Sequence, residues 1–466
     1  MKCLRWNFSL RLKLSGDRYV RFIGLLVVLF VLLPASNLPS QEQSQDKAKY
    51  EIDLSELQKE VDKVATKPYS LGGFLEFQPS LFGIDRDSAV SRLQFFDDKQ
   101  DSNFGQYGFR LRLEGSYKQD PFSLFVRTDT WVRNDFDGWD EDIRLFEAYM
   151  SLKPSPNFVL EAGKKVAKWG KGYAWNPASF IAPPKNPEDP EEALEGFTLI
   201  TADFIRSFDG PLKTMTLTAA AVPVYKHVNS KVGELGNTDF ASKLYLLVYD
   251  TDLDVMVSTG LSRTTRYGFD FSRNLATNLE IHGEFAVVNN LKIGSVNESG
   301  QGSRRRLDAV SYLLGLRYLT EKETTYILEY YRNGTGFTRD EMKGFFRFVE
   351  NSYETFTKTG NEAGLRRGRK MLSGAQGRPN PGHHYLYFRA SQKEPFDILY
   401  LTPALTSIIN LTDGSLSLIP EVSYSPMTNL DVRFRTAFLL GKKQTEYGEK
   451  QNDFRIELRL RYFFGL

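Results

Sequence analysis

Seven apolar residues stand at every second position of the C-terminus, Phe454, Ile456, Leu458, Leu460, Tyr462, Phe464 and Leu466, and Arg455, Glu457, Arg459 and Arg461 fill the first four gaps. A period of two gives a strand one greasy face and one charged face. About ten such residues, tilted, cross a bilayer as one stave of a barrel. Sliding the register by one would turn the charges to lipid, at about 2 to 4 kcal/mol for each basic group near the midplane. The charges therefore face inward. Similar runs recur from Tyr69, roughly eighteen between Gly73 and the end. Tyr107, Phe109, Leu111 and Leu113 alternate with Arg110, Arg112 and Glu114, and Leu279, Ile281, Gly283 and Phe285 with Glu280, His282 and Glu284.

The connections strengthen this reading. Every second one is tight: Lys118 to Pro121, Pro154 to Asn157, Ser207 to Gly210, Thr251 and Asp252, Glu321 to Glu323, Gln392 to Pro395, Ser425 to Asn429. The others include the long segments around 83 to 103, 168 to 193, 225 to 238, 290 to 307, 334 to 383 and 441 to 452. Short periplasmic turns opposite long external loops predict an all-β chain forming a transmembrane antiparallel β-barrel of about 16 to 18 strands, with both termini periplasmic. A soluble β-sandwich also has short strands, but it needs no such one-sided loops.

Phe22 to Ala35 is the one long apolar run and follows six basic residues, which marks residues 1 to 40 as a signal peptide. Residues 41 to 68 form a periplasmic segment in which Ile52, Leu54, Leu57, Val61 and Val64 share one side of a short helix, and residues 69 to 466 form the barrel. The only cysteine, Cys3, is removed with the leader, so the mature chain has no disulfide and no thiolate site. Without residues 1 to 40 the 60 basic and 58 acidic residues become 54 and 57, which gives no argument for nucleic acid.

Parity puts Arg110, Arg112, Arg127, Arg133, Arg317, Arg433, Arg435, Arg455, Arg459 and Arg461 in the lumen with Glu114, Asp129, Glu280, His282, Glu284 and Glu329. Arg433, Arg435, Arg455, Arg459 and Arg461 fall on two hairpinned strands and make a basic strip, which in a narrow passage favours anions. The bland alternative is a wall of cross-strand ion pairs. His282 between two glutamates is a weak metal signal, and neither a metal nor a cofactor is expected. No serine motif, phosphate-binding glycine loop or zinc spacing supports catalysis.

Two loops stand out as gates. The first opens Lys168-Trp-Gly-Lys-Gly-Tyr-Ala-Trp-Asn-Pro177 and carries Glu188, Asp189, Glu191 and Glu192. Trp169 and Trp175 suit an interfacial rim, yet the segment can also fold inward and narrow the pore, which makes Trp169, Trp175 and the acidic run constriction candidates. That run opposite the basic strip would set a transverse field, and the alternative is an external loop packed on its neighbours. In the second, Met342, Phe345, Phe346, Val349, Tyr353 and Phe356 predict an amphipathic helix over 338 to 358, followed by the basic residues Arg366, Arg367, Arg369, Lys370 and Arg378.

The stretches WGKGYAWNP from Trp169, GLRYLTEKETTYILEYYRNGTGF from Gly315 and GEKQNDFRIELRLRYFF from Gly448 resemble a porin-like outer-membrane β-barrel family of Gram-negative bacteria. The resemblance spans about Tyr69 to Leu466 and implies a fold and a location. Gly465 and Leu466 after Phe464 depart from the usual aromatic end. The expected function is a channel for small polar or anionic solutes. The alternatives are a plugged barrel serving as a scaffold and a rim-active lipid hydrolase. The expected partners are outer-membrane lipid and lipopolysaccharide, the barrel-assembly machinery, small solutes, and a periplasmic protein met through residues 41 to 68.

Overall fold

A computed structural model describes residues 67–97, 102–135 and 138–465. The signal peptide and the short helix expected within 41 to 68 lie outside these residues, save Lys67 and Pro68. Eighteen strands follow one another: β1 (Tyr69–Ile84), β2 (Asn103–Gln119), β3 (Phe122–Asp135), β4 (Gly138–Ser155), β5 (Phe158–Lys165) and β6 (Phe197–Ser207). Next come β7 (Leu212–Val224), β8 (Asn237–Val248), β9 (Thr251–Gly260), β10 (Arg266–Ala276), β11 (Leu279–Val296) and β12 (Gly302–Leu319). The last six are β13 (Thr324–Arg332), β14 (His384–Gln392), β15 (Leu401–Asn410), β16 (Ser415–Met427), β17 (Leu430–Leu440) and β18 (Asn452–Gly465). Each pairs antiparallel with its neighbours in sequence, and β1 pairs with β18 to close the barrel. Closure removes the edges that an open sheet would leave unpaired in lipid.

The alternation predicts the two faces. Ile200, Phe204, Phe240, Val255 and Leu314 are each at least half exposed on the outside, a cost in water that lipid removes, whereas Arg110, Asp129, Asp254, His282 and Glu329 are buried within. Glu76 faces Arg461 across the closing pair, and Arg433 faces Arg459. Tight turns and both ends of the barrel lie together, at 120–121, 156–157, 208–211, 249–250, 277–278, 320–323 and 428–429, with a longer connection at 393–400. The opposite end carries 166–196, 333–383 and 441–451.

The tight turn expected at Gln392 to Pro395 is instead an eight-residue connection, 393–400, and three further details differ from the sequence reading. Residues 290 to 307 are mostly strand: β11 and β12 continue past a bulge near Val288 as a long hairpin whose tip is 297–301. The turn expected at Thr251 and Asp252 sits at Tyr249 and Asp250, both with positive φ, and Thr251 already pairs in β9. In the segment after β1, α1 (Ala89–Phe95) was not predicted, since seven residues give too little periodicity.

The helix expected over 338 to 358 is α2 (Arg339–Thr359). Thr338 and Glu341 close a capping box, and Gly360, at φ 72°, ends the helix in the left-handed conformation. After it, α3 (Ala363–Leu372) returns. Leu93 of α1, Phe345 and Val349 of α2, Leu365 of α3 and Ile293 of the hairpin are buried together. This small core stands beside the barrel mouth.

Candidate lumenal constriction

After β5 the 166–196 loop turns into the barrel. Ala174, Ala178 and Ile181 are fully buried, and Trp169, Trp175 and Phe180 nearly so. Small inward residues make the room: Ala220, Val222, Ala241 and Ala286 line the wall against which Trp169, Phe180 and Ile181 pack. Across the lumen Trp175 stacks on Tyr331, ring centroids 5.1 Å apart, beside Tyr385 and Tyr387. Of the two places open to Trp169 and Trp175, a rim and an inward-folded constriction loop, they take the second, because the loop carrying them packs onto an apolar sector.

Lumenal carboxylates hold the loop backbone. Glu284 accepts the N–H groups of Gly172 at 2.6 Å and Ala178 at 3.0 Å. Glu329 accepts those of Tyr173 and of Ala174, the latter at 2.9 Å, and lies 2.8 Å from His282 Nε2. Each buried charge is thus met by several donors, which offsets its desolvation. Gly170 sits at φ +86°, and a Cβ there would come 2.7 Å from Glu284 Oε1; one at Gly172 would collide with the Trp175 carbonyl. The glycines of WGKG are the condition for this approach. Gly315 likewise leaves the space that His282 fills. Lys171 reaches Asp254 at 3.3 Å, and Lys185 Nζ donates back to the Gly172 carbonyl at 2.5 Å.

Beyond Pro184 the loop is more exposed, and ion pairs hold it. Glu188 pairs with Arg455 at 2.8 Å, and Asp189 with Arg433 at 2.9 Å and Arg435 at 3.5 Å. Glu192 stands 3.9 Å from Arg110, while Glu191 accepts from the Tyr173 hydroxyl at 2.9 Å. The wall supplies further carboxylates: Glu421 to Arg435 at 2.7 Å, Glu457 to Arg455 at 2.6 Å, Asp431 to Arg459 at 3.1 Å and Glu76 to Arg461 at 2.5 Å. The five arginines of the strip, Arg433, Arg435, Arg455, Arg459 and Arg461, thus meet six carboxylates, Glu76, Glu188, Asp189, Glu421, Asp431 and Glu457. Burial pushes the Asp189 carboxyl up, but Arg433 and Arg435 outweigh it and hold the group below the usual carboxylate range. Partial desolvation within the lumen, helped by Asp189, raises Glu192, although its side chain keeps contact with water.

The other expected lumen charges pair across strands. Arg110 and Arg112 both bind Asp129, Arg112 Nε at 2.6 Å. Arg127 bridges Glu114 at 2.8 Å and Glu147 at 2.7 Å, and Arg133 lies over Trp131. Glu280 faces Arg317 across β11 and β12 and stands 3.6 Å from His282 Nδ1. Among the described residues no cluster of three or more His, Cys, Asp or Glu has a geometry that could hold a metal. Glu421 and Asp254 were missed in the sequence; inward parity was the available signal for both.

A cavity of about 260 Å³ opens between the inward loop, the 333–383 segment and the 441–451 segment. Glu188, Arg455, Lys450 and Tyr447 line it opposite Ile408 and Leu439. Asn380 joins two of these segments, accepting from Trp175 Nε1 at 3.1 Å and donating to the Tyr447 hydroxyl at 3.4 Å.

No family model and no curated protein matches this chain. Among solved structures, it is similar to OprD of Pseudomonas aeruginosa, at 12% identity over 85% of this chain and 95% of that one, with TM-score 0.45. OccK11 (OpdR) of the same organism gives 14%, 85%, 96% and 0.47, and a triple mutant of Rhodopseudomonas blastica porin 9%, 85%, 100% and 0.41. These likenesses are too slight to bear on function.

Proposed function

We propose that the chain is an outer-membrane channel for small polar or anionic solutes, with the 166–196 loop as its constriction. The carrying observation is that Glu188 and Asp189 of this loop occupy guanidinium groups of the basic strip. A small carboxylate or phosphate solute has the same chemistry and competes for the same arginines, displacing the outer half of the loop while Glu284 and Glu329 keep the inner half in place. The apolar outer face supports the membrane location, and tight turns beside both ends of the barrel support termini on the periplasmic side. With that orientation, residues 41 to 68 are the segment proposed to meet a periplasmic partner.

Single-channel conductance of the mature protein in a planar bilayer tests this, with and without residues 334–383. Steady conductance with a measurable ion preference supports the channel, and current only after the deletion makes that segment the gate. Silence in both, even after the loop contacts are weakened, favours the second reading, a plugged scaffold. The observation behind that reading is the close packing of Trp175, Ala178 and Ile181 in the lumen.

A further inference from the structure

The hairpin of β11 and β12 rises past the rim with two unlike faces. On β12 the inward positions Leu313, Ser311 and Ala309 are buried, Leu307 continues against the helical core, and Arg305 pairs with Glu341 of α2 at 3.2 Å. The outward positions begin in lipid-facing residues, Tyr318, Leu316, Leu314, Tyr312 and Val310, and go on through Asp308 to Arg306 and Arg304. Lys292 of β11 lies directly opposite Arg306, and Gly294 opposite Arg304. Lys292, Arg304 and Arg306 thus share one outward face, are all exposed, and have no acidic partner among the described residues. Asp308, the one carboxylate on that face, accepts the Asn290 N–H at 2.8 Å.

Height identifies the partner. Eight steps from Tyr318 to Val310, at about 3.4 Å each and tilted by about 40°, span roughly 20 Å, close to the height of a barrel's apolar band. Tyr312 and Tyr330, rings 5.9 Å apart, lie near its upper edge, with the Tyr330 hydroxyl 2.7 Å from His384 Nδ1. Arg306, four residues above Val310, then stands about 10 Å higher, in the headgroup layer. Arg332, opposite Tyr312, adds a fourth cation at the band's edge, donating to the Val310 carbonyl at 2.5 Å. At the same rim β4, β8 and β10 present Trp139, Phe240 and Tyr267 instead.

We propose that Lys292, Arg304 and Arg306, with Arg332 below them, form a binding site for the phosphate groups of outer-leaflet lipid, the glucosamine phosphates of lipid A. The site rests on the membrane placement above but not on conduction. Each cation at a headgroup surface strengthens binding by about fivefold, so three together contribute on the order of a hundredfold.

The test measures retention of bisphosphorylated lipid A, monophosphoryl lipid A and inorganic pyrophosphate by the full mature protein in detergent, read by native mass spectrometry. The wild type is expected to hold the bisphosphorylated lipid most tightly. K292Q/R304Q/R306Q should lose it by tens of fold or more, while R366Q/R367Q/K370Q on α3 should keep it. Equal retention by the first triple variant, equal loss in both triples, or no preference for the second phosphate overturns the proposal. Pyrophosphate binding as tight as lipid A would make the source a free anion and overturn the lipid assignment. If the triple variant fails to fold, judged by heat-modifiable mobility, R304Q alone near the tip should weaken binding about fivefold, and an unchanged value refutes the site. A silent channel that still selects lipid A would refute the proposed function and leave this site standing.

Discussion

Neutralising Glu188 and Asp189 together, E188Q/D189N, tests the constriction most directly. The substitution removes Glu188 from Arg455 and Asp189 from Arg433 and Arg435. None of these arginines is stranded, because Arg433 and Arg435 keep Glu421 and Arg455 keeps Glu457. The cost therefore falls below the 3 to 5 kcal/mol expected when a buried charge is left unpaired, and is roughly 2 kcal/mol in all. That shifts the docked-to-released ratio of the outer loop by about thirtyfold. The charge balance of the strip changes as well, from five guanidiniums against six carboxylates to five against four. In a planar bilayer the variant should open more often, and its reversal potential in a salt gradient should move toward anions. A folded variant with wild-type gating and reversal potential would refute the idea that these carboxylates close the path.

Gly172→Ala should loosen the inner half of the loop by about 2 kcal/mol or more, since the new methyl meets the Trp175 carbonyl oxygen; protease cleavage within 166–196 should accelerate while barrel mobility on a gel is unchanged. Acid should release the outer half: the depressed Asp189 contributes stability that is present above its unfolded value near 4 and is lost as pH falls through its lower folded value, so open probability should rise only below about pH 4. Glu192 is shifted the other way, upward, so it gives up its charge before Asp189 does and should not reverse the trend. Replacing Arg455, Arg459 and Arg461 with glutamate should turn any anion preference toward cations, read as a change in sign of the reversal potential. Phe345→Ala should cost the helical core about 3 to 5 kcal/mol and expose α2 to hydrogen exchange, with the strands still protected.

The barrel was legible because period two is a local signal that lipid enforces on every strand. Parity alone assigned Arg110, Glu284 and Arg455 to one face without any tertiary information, and in the structure that face carries their ion pairs and backbone contacts. For Trp169 and Trp175 the sequence left two places open, an interfacial rim and an inward-folded constriction loop. A loop's direction depends on whether the wall beneath it has room, and that room comes from Ala220, Ala241 and Ala286 on strands far away in sequence. The hairpin beyond Val288 was read as loop because a bulge breaks its alternation. The acidic run opposite the strip was anticipated, but not that it would touch the guanidiniums.

That contact changes what the basic strip can do. Five bare arginines in a low-dielectric passage would bind an anion tightly and release it slowly, which stops conduction. In the proposed channel, arginines already holding loop carboxylates would offer an exchange instead: an entering anion would take over a desolvated guanidinium whose cost of burial has been met, and the displaced carboxylate would return to water. The net free energy of that step would then stay small, and the loop would return when the solute leaves. For this to work the loop needs one fixed half and one movable half. The buried, backbone-clasped segment before Pro184 and the half-exposed, ion-paired segment after it supply that division.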